Sequence, residues 1–223
     1  MKFKLWLENN ANQDIIKNAF SKGINKSDPS FLGYHGTSLQ TLMFAIDHGY
    51  LPVTVGTERL HAGEHQTSQM AYGPTFQDYG LHIVPNPLNK IVQSIPFRSD
   101  LSENPYEDAI FWAKSIAERH SFFDKYSMDW SDPKHHEAAS LFSWGTETPE
   151  YIQKKFKLAK PKRKYLQGGV VLAISDTVAN EFRIAMGGDG NDINIITKAL
   201  PVKYIVGIEP QNDDAYEWLD SLT

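Results

Sequence analysis

Cysteine is absent from the 223 residues. That removes disulfides, thiolate zinc centres and cysteine nucleophiles together, and leaves His, Asp, Glu, Ser, Thr and Tyr to carry any chemistry. No apolar run approaches the roughly eighteen residues a membrane span needs, and the apolar part of Met1–Leu7 is too short for a secretory leader. The expected location is therefore the cytoplasm, of the producing cell or of one into which the protein is delivered. Repeats and low-complexity tracts are missing too. With 41% hydrophobic and 22% charged residues, the composition excludes the disordered, collagen and coiled-coil classes. At about 150 residues per domain the length argues for one domain, here a helical segment over residues 1–30 followed by a domain over 31–223.

A net charge of −5 rules out a molecule that binds nucleic acid through its overall field. The charge is unevenly spread. Seven of the 22 basic residues fall between Lys154 and Lys164, leaving 15 against 27 acidic residues elsewhere. Such a stretch attracts phosphates or an acidic surface, although a solvated loop is the commoner outcome.

Turn chemistry divides the rest into short elements. Asn12 is positioned to cap a helix through about Lys22, with Ile15, Ile16, Ala19 and Phe20 on one side and Gly23 as its stop. Phe31–His35 reads as a strand. Thr37 or Ser38 then caps a helix whose Leu39, Leu42, Met43 and Ile46 recur at helical spacing before Gly49. Residues 52–80 hold glycines and polar residues without a period, the pattern of a functional or mobile loop. Leu81–Val84 and Ile91–Ile95 read as strands, restricted to an edge by Pro85 and Pro87. Asn104 and Pro105 open the clearest helix, with Ala109, Trp112, Ala113, Ile116 and Ala117 inward, and a further helix is expected over Lys134–Phe142. The C-terminal third turns to β, with Gly169–Ile174, a short turn at Asp176–Asn180, Phe182–Ala185, Ile193–Thr197 and Tyr204–Ile208. The fold class expected is α+β, a mixed but mostly antiparallel set of strands with flanking helices.

Three groups of residues compete for a chemical role. In Tyr34-His35-Gly36-Thr37-Ser38 a strand ends in a histidine and a glycine before a helix begins. The glycine lets a ligand approach the main chain, and the histidine stands on a rigid strand end. The same residues also suit a plain turn with a packed histidine. The histidine-rich stretches His61-x-x-x-His65 with Glu64, and His135-His136-Glu137, have metal-ligating side chains but lack the spacing of a known zinc motif; a histidine-based metal hydrolase is the remote alternative, and no metal is expected. The loop Gly187-Gly188-Asp189-Gly190-Asn191-Asp192 is explained best as a hairpin turn.

The first group carries a resemblance. Tyr34-His35-Gly36-Thr37-Ser38, the helix after it and Gly49-Tyr50-Leu51-Pro52 resemble the opening of the poly-ADP-ribose polymerase and diphtheria-toxin-like ADP-ribosyltransferases. Downstream, Ile95-Pro96-Phe97 precedes Ala109-Ile110-Phe111-Trp112-Ala113, and Asp192-Ile193-Asn194-Ile195, Leu200-Pro201 and Tyr204-Ile205-Val206-Gly207-Ile208 follow in the family's order. The resemblance implies a single-domain ADP-ribosyltransferase fold and chemistry on NAD as co-substrate. His35, Gly36, Thr37 and Ser38 would hold the dinucleotide, with the backbone of Gly36 on the nicotinamide carboxamide and His35 on a ribose hydroxyl. It further implies an aromatic stacked on nicotinamide, for which Phe97 and Tyr106 are the candidates ahead of Tyr72 and Tyr79. The acid that supports the oxocarbenium-like transition state falls on Asp192, where the family has glutamate, or on Glu181. The implied reaction passes ADP-ribose to a macromolecular acceptor, a protein before a nucleic acid; the alternative is a module that binds NAD or ADP-ribose without reacting.

Overall fold

The computed structural model describes residues 2–52, 80–97, 100–129, 132–143, 147–186, 192–197 and 199–222. In chain order the elements are α1 (Lys2–Lys22), β1 (Phe31–Ser38), α2 (Leu39–His48), β2 (Tyr50–Pro52), β3 (Gly80–Pro85), α3 (Lys90–Gln93), α4 (Pro105–Lys125), α5 (Pro133–Ser143) and α6 (Pro149–Phe156). They continue with β4 (Gly169–Ser175), a 3-10 turn (Asp176–Asn180), β5 (Arg183–Met186), β6 (Ile193–Ile196), β7 (Ala199–Pro201), a second 3-10 turn (Val202–Tyr204), β8 (Ile205–Pro210) and α7 (Asp213–Asp220).

The core strands come from runs with no polar face to spare. Gly169-Val170-Val171-Leu172-Ala173-Ile174 is buried throughout, so β4 is covered on both sides, and a β-branched, apolar run of this kind suits such a position. Among the described residues the main sheet runs in the order β5-β6-β3-β1-β4-β8, and β2 pairs with β7 beside it. Every neighbouring pair is antiparallel, which makes this an α+β fold with helices on both faces.

Alternation along β1 decides what each face touches. Tyr34, Gly36 and Ser38 face α4: the Tyr34 ring meets Tyr106 at 5.6 Å, Ser38 Oγ lies 2.5 Å from His120 Nδ1, and a Cβ on Gly36 would fall 2.1 Å from the carbonyl oxygen of Ala109. Glycine is required here because the helix backbone lies directly on the strand. Across the sheet, Val170, Leu172 and Ile174 of β4 join Leu39, Leu42 and Ile46 of α2, Ile16 and Ala19 of α1, and Ala215 and Leu219 of α7 in the principal core. Each fully buried Leu or Ile contributes about 1.5–3 kcal/mol. A separate cluster of Phe122, Phe123, Tyr126, Ala138, Ala139 and Ile152 fastens α5 and α6 to the far end of α4.

Several local expectations hold. Ser38 caps α2, its Oγ accepting from the amide of Thr41, and Gly49 closes the helix at φ 79. Gly23 ends α1 at φ 63. Others are corrected. Ile91–Ile95 is not a strand: Asn89 accepts from the amides of Ile91 and Val92 and turns the chain into α3, a local side-chain bond overriding β-branched propensity. Asn12 does not cap α1 but lies within it, and its Nδ2 donates to the carbonyl of Ile46 at 3.0 Å, tying α1 to α2. Trp112 is 42% exposed rather than inward. The helices α6 and α7 escaped notice, although Thr148 before Pro149 and Asn212 before Asp213-Asp214 are the capping residues that announce them. No helix among the described residues is long and apolar enough to cross a membrane.

The tight seating of α4 is testable. Gly36→Ala must push the Ala109 carbonyl away, at a cost of about 1–3 kcal/mol, and a chain of this size loses roughly 2–4 °C of Tm per kcal/mol. An unchanged thermal unfolding midpoint would contradict the contact.

Candidate functional site

The centre of the sheet contains a place where the ladder stops. On one side β1 pairs with β4 as far as Ser38 against Gly169, and Leu39 continues by donating to the carbonyl of Gly168. That bond sets the parity: His35 and Thr37 direct their peptide groups at β4, while Tyr34 and Gly36 direct theirs at β3. Toward β3 the rungs are Gly33 with Pro85 and Tyr34 with Val84, and they go no further. The next residue facing β3 is Gly36, whose ladder partner by register would be His82. The His82 carbonyl is taken instead by the imidazole of His35, whose Nδ1 lies 2.8 Å from it. The side chain of residue 35 thus occupies the acceptor that the backbone of residue 36 would have used, and the Gly36 peptide is left outside the β1–β3 ladder.

The state of His35 follows from this contact. A carbonyl only accepts, so Nδ1 carries the hydrogen and, in the neutral ring, Nε2 keeps its lone pair. Removal from water is the main reason its pKa falls from 6.5 to about 4, with the nearby His82 ring pushing in the same direction and the carbonyl bond opposing both. At neutral pH the site therefore holds an uncharged imidazole with an acceptor nitrogen that has no partner among the described residues.

The neighbouring strand adds a carboxylate. Asp192 stands immediately before Ile193, the register partner of Ile83 on β3, and its Oδ2 meets Nε2 of His82. Asp192 is 7% exposed, and its Oδ1 is buried with no partner among the described residues. The His82 side chain keeps 41% of its surface open and stands edge-on to Trp112 of α4, ring centroids 6.1 Å apart. The structure therefore links His35, His82 and Asp192 in one chain of contacts across three adjacent strands.

The remaining predicted residues are placed elsewhere or serve the fold. Thr37 is buried on the same side of β1 as His35. Ser38 is fully buried, and its hydroxyl serves α2 and His120. Tyr106 is buried beside Tyr34, with the ammonium of Lys26 3.7 Å from its ring centroid; burial pushes its phenol pKa up. Phe97 packs against the principal core after α3. Neither of these rings is presented to His82, and the aromatic that α4 does bring there is Trp112. Glu181 lies beyond the start of β5 on the outer edge of the sheet, its carboxylate 2.7 Å from Lys203 Nζ, a bond that holds its pKa low. His135 accepts from the amide of Asp129 at 2.8 Å. His61, Glu64, His65, Tyr72, Tyr79 and the Gly187–Asn191 turn lie outside the described residues.

Sequence reasoning missed His82 altogether. The signal was present in Leu81-His82-Ile83-Val84, where one polar residue interrupts an apolar strand, a pattern that marks a position facing something other than hydrophobic core. Compared with known proteins, the chain matches no family model, no curated protein and no solved structure.

The depressed pKa of His35 has a measurable consequence. Between about pH 4 and 6.5 the unfolded chain binds a proton at this residue that the folded chain refuses, so stability falls as pH drops through that window. The loss is up to about 3 kcal/mol, and above the window His35 adds no pH dependence. His35→Gln removes the contribution. Urea unfolding at about pH 4.5 and pH 7 is expected to show a smaller stability difference in the variant than in the wild type; equal differences would contradict a neutral, desolvated imidazole.

Proposed function

We propose that this chain is an ADP-ribosyltransferase: it binds NAD, breaks the bond between nicotinamide and ribose, and passes ADP-ribose to a macromolecular acceptor, a protein in preference to a nucleic acid, in the cytoplasm of its own or another cell. The observation that carries the reading is the Gly36 peptide outside the ladder next to a neutral His35. A carboxamide needs one donor and one acceptor side by side, and the N–H and C=O of a single residue outside the β1–β3 ladder are such a pair. His35 Nε2 supplies an acceptor for a ribose hydroxyl. Its neutrality matters because the pyridinium of NAD is cationic and the ribose gains positive charge as the glycosidic bond breaks, so an imidazolium would oppose both.

The acid falls on Asp192 rather than Glu181. Its unpartnered Oδ1 is a negative group in a desolvated position, the kind of group that stabilises an oxocarbenium-like charge most effectively because no solvent has to reorganise as the charge develops. The resemblance in the sequence supports the same assignment: His35-Gly36-Thr37 and Asp192 fall on β1 and at the head of β6, with only β3 between those strands.

A direct test incubates the protein with NAD and follows nicotinamide release and NAD binding in parallel. His35→Ala is expected to reduce release by about 100-fold or more and to weaken NAD binding. Gly36→Val is unsuitable as a test of binding, because its side chain strikes the backbone of α4. NAD binding without nicotinamide release, in the presence of candidate acceptor proteins, would select the non-reacting binding module. NAD that neither binds nor reacts would overturn both readings.

A further inference from the structure

The assignments above give NAD its contacts but leave the acceptor without a group to take its proton. We propose that His82 is the general base that deprotonates the acceptor, that Asp192 is the residue that positions it, and that the acceptor atom is a hydroxyl oxygen. This rests on the reading of the chain as an NAD-consuming transferase.

The geometry supplies the base. Asp192 Oδ2 can only accept, so His82 Nε2 carries a hydrogen toward it and the lone pair of the neutral ring resides on Nδ1. Nδ1 has no partner among the described residues, and the ring is 41% exposed, so the basic nitrogen is available to an incoming group. The backbone of His82 is pinned by His35 Nδ1 at 2.8 Å. The base and the ribose-holding imidazole are thereby fixed relative to each other, and such fixing is what makes proton transfer efficient. Among the described residues, the titratable groups facing His82 are Asp192 at the head of β6 and His35 from β1; α4 presents the uncharged Trp112.

Asp192 keeps Oδ1 for the ribose charge and spends Oδ2 on His82, which extends its reach outward by one imidazole. In the step itself the C1′–N bond breaks and its electron pair stays with the departing neutral nicotinamide. An oxygen lone pair of the acceptor forms the new bond to C1′, and the hydroxyl proton passes to His82 Nδ1. The imidazolium, paired with Asp192, later releases that proton to water. A carboxylate acceptor has no proton to give up and would need no base, while a guanidinium holds its proton too tightly for an imidazole to remove. A hydroxyl is the acceptor this arrangement suits.

The test uses NAD alone, with water as the acceptor, and then NAD with methanol as a simple alcohol. Calorimetry measures NAD binding, nicotinamide release gives the rate, and the methyl glycoside of ADP-ribose reports transfer to the alcohol. His82→Gln is expected to bind NAD within about twofold of wild type, to melt at the same temperature, and to lose roughly 100-fold or more in both hydrolysis and methanol transfer. Asp192→Asn is expected to cost less rate in the His82→Gln background than in the wild-type protein, because part of its effect passes through His82. A His82→Gln protein with wild-type rates, or one whose rate falls only as far as its NAD binding, would overturn the base. Equal losses from Asp192→Asn in the two backgrounds would overturn the positioning role. A wild-type protein that neither binds NAD nor releases nicotinamide overturns the transferase reading itself, and the base assignment with it.

Discussion

The bond from the His35 imidazole to the carbonyl of His82 divides the central sheet into a closed part and an open part. On the closed side Gly33 and Tyr34 pair with Pro85 and Val84 in the usual way. On the open side the carbonyl that would receive the Gly36 amide is already engaged at 2.8 Å. One hydrogen bond, worth about 0.5–1.5 kcal/mol, replaces another, and the Gly36 peptide, although buried, is left outside the β1–β3 ladder. The fold thereby gains an edge of backbone donors and acceptors in the middle of a sheet, where they are normally consumed.

The rest of the molecule holds that edge in place. The helix α4 lies so close to β1 that its Ala109 carbonyl leaves no room for a side chain at residue 36, and its further turns are fixed by Tyr106 against Tyr34 and by His120 against Ser38. From behind, β4 is buried on both faces and pairs with β1 along its length. The strand carrying His35 and Gly36 is therefore held on both faces.

Much of this was legible in the sequence, and the parts that were not have identifiable reasons. The strand, turn and helix around His35 and Ser38 were readable because the signals are local: an apolar run, a capping serine and a closing glycine. The α+β class followed from β-rich segments late in the chain. Ile91–Ile95 misled because Asn89 caps a short helix there, a decision made by one side chain rather than by the run of residues. Phe97 stands where the resemblance implies the stacking aromatic and Tyr106 on a segment able to fold over a bound ring, yet aromatics more often fill cores: Tyr106 is buried and Phe97 packs against the principal core. The most informative miss is His82. It is tied to residues 47 and 110 positions away, on β1 and at the head of β6, and no pattern along the chain reports a contact of that kind.

The amide of Gly36 is a single group that NMR can observe directly. In a protein labelled with nitrogen-15, the Gly36 amide resonance followed during an NAD titration should shift, and the shift should saturate with the same Kd that calorimetry gives, as the carboxamide engages the peptide left outside the ladder. A Gly36 resonance that stays in place while NAD binds would show that the carboxamide is held elsewhere.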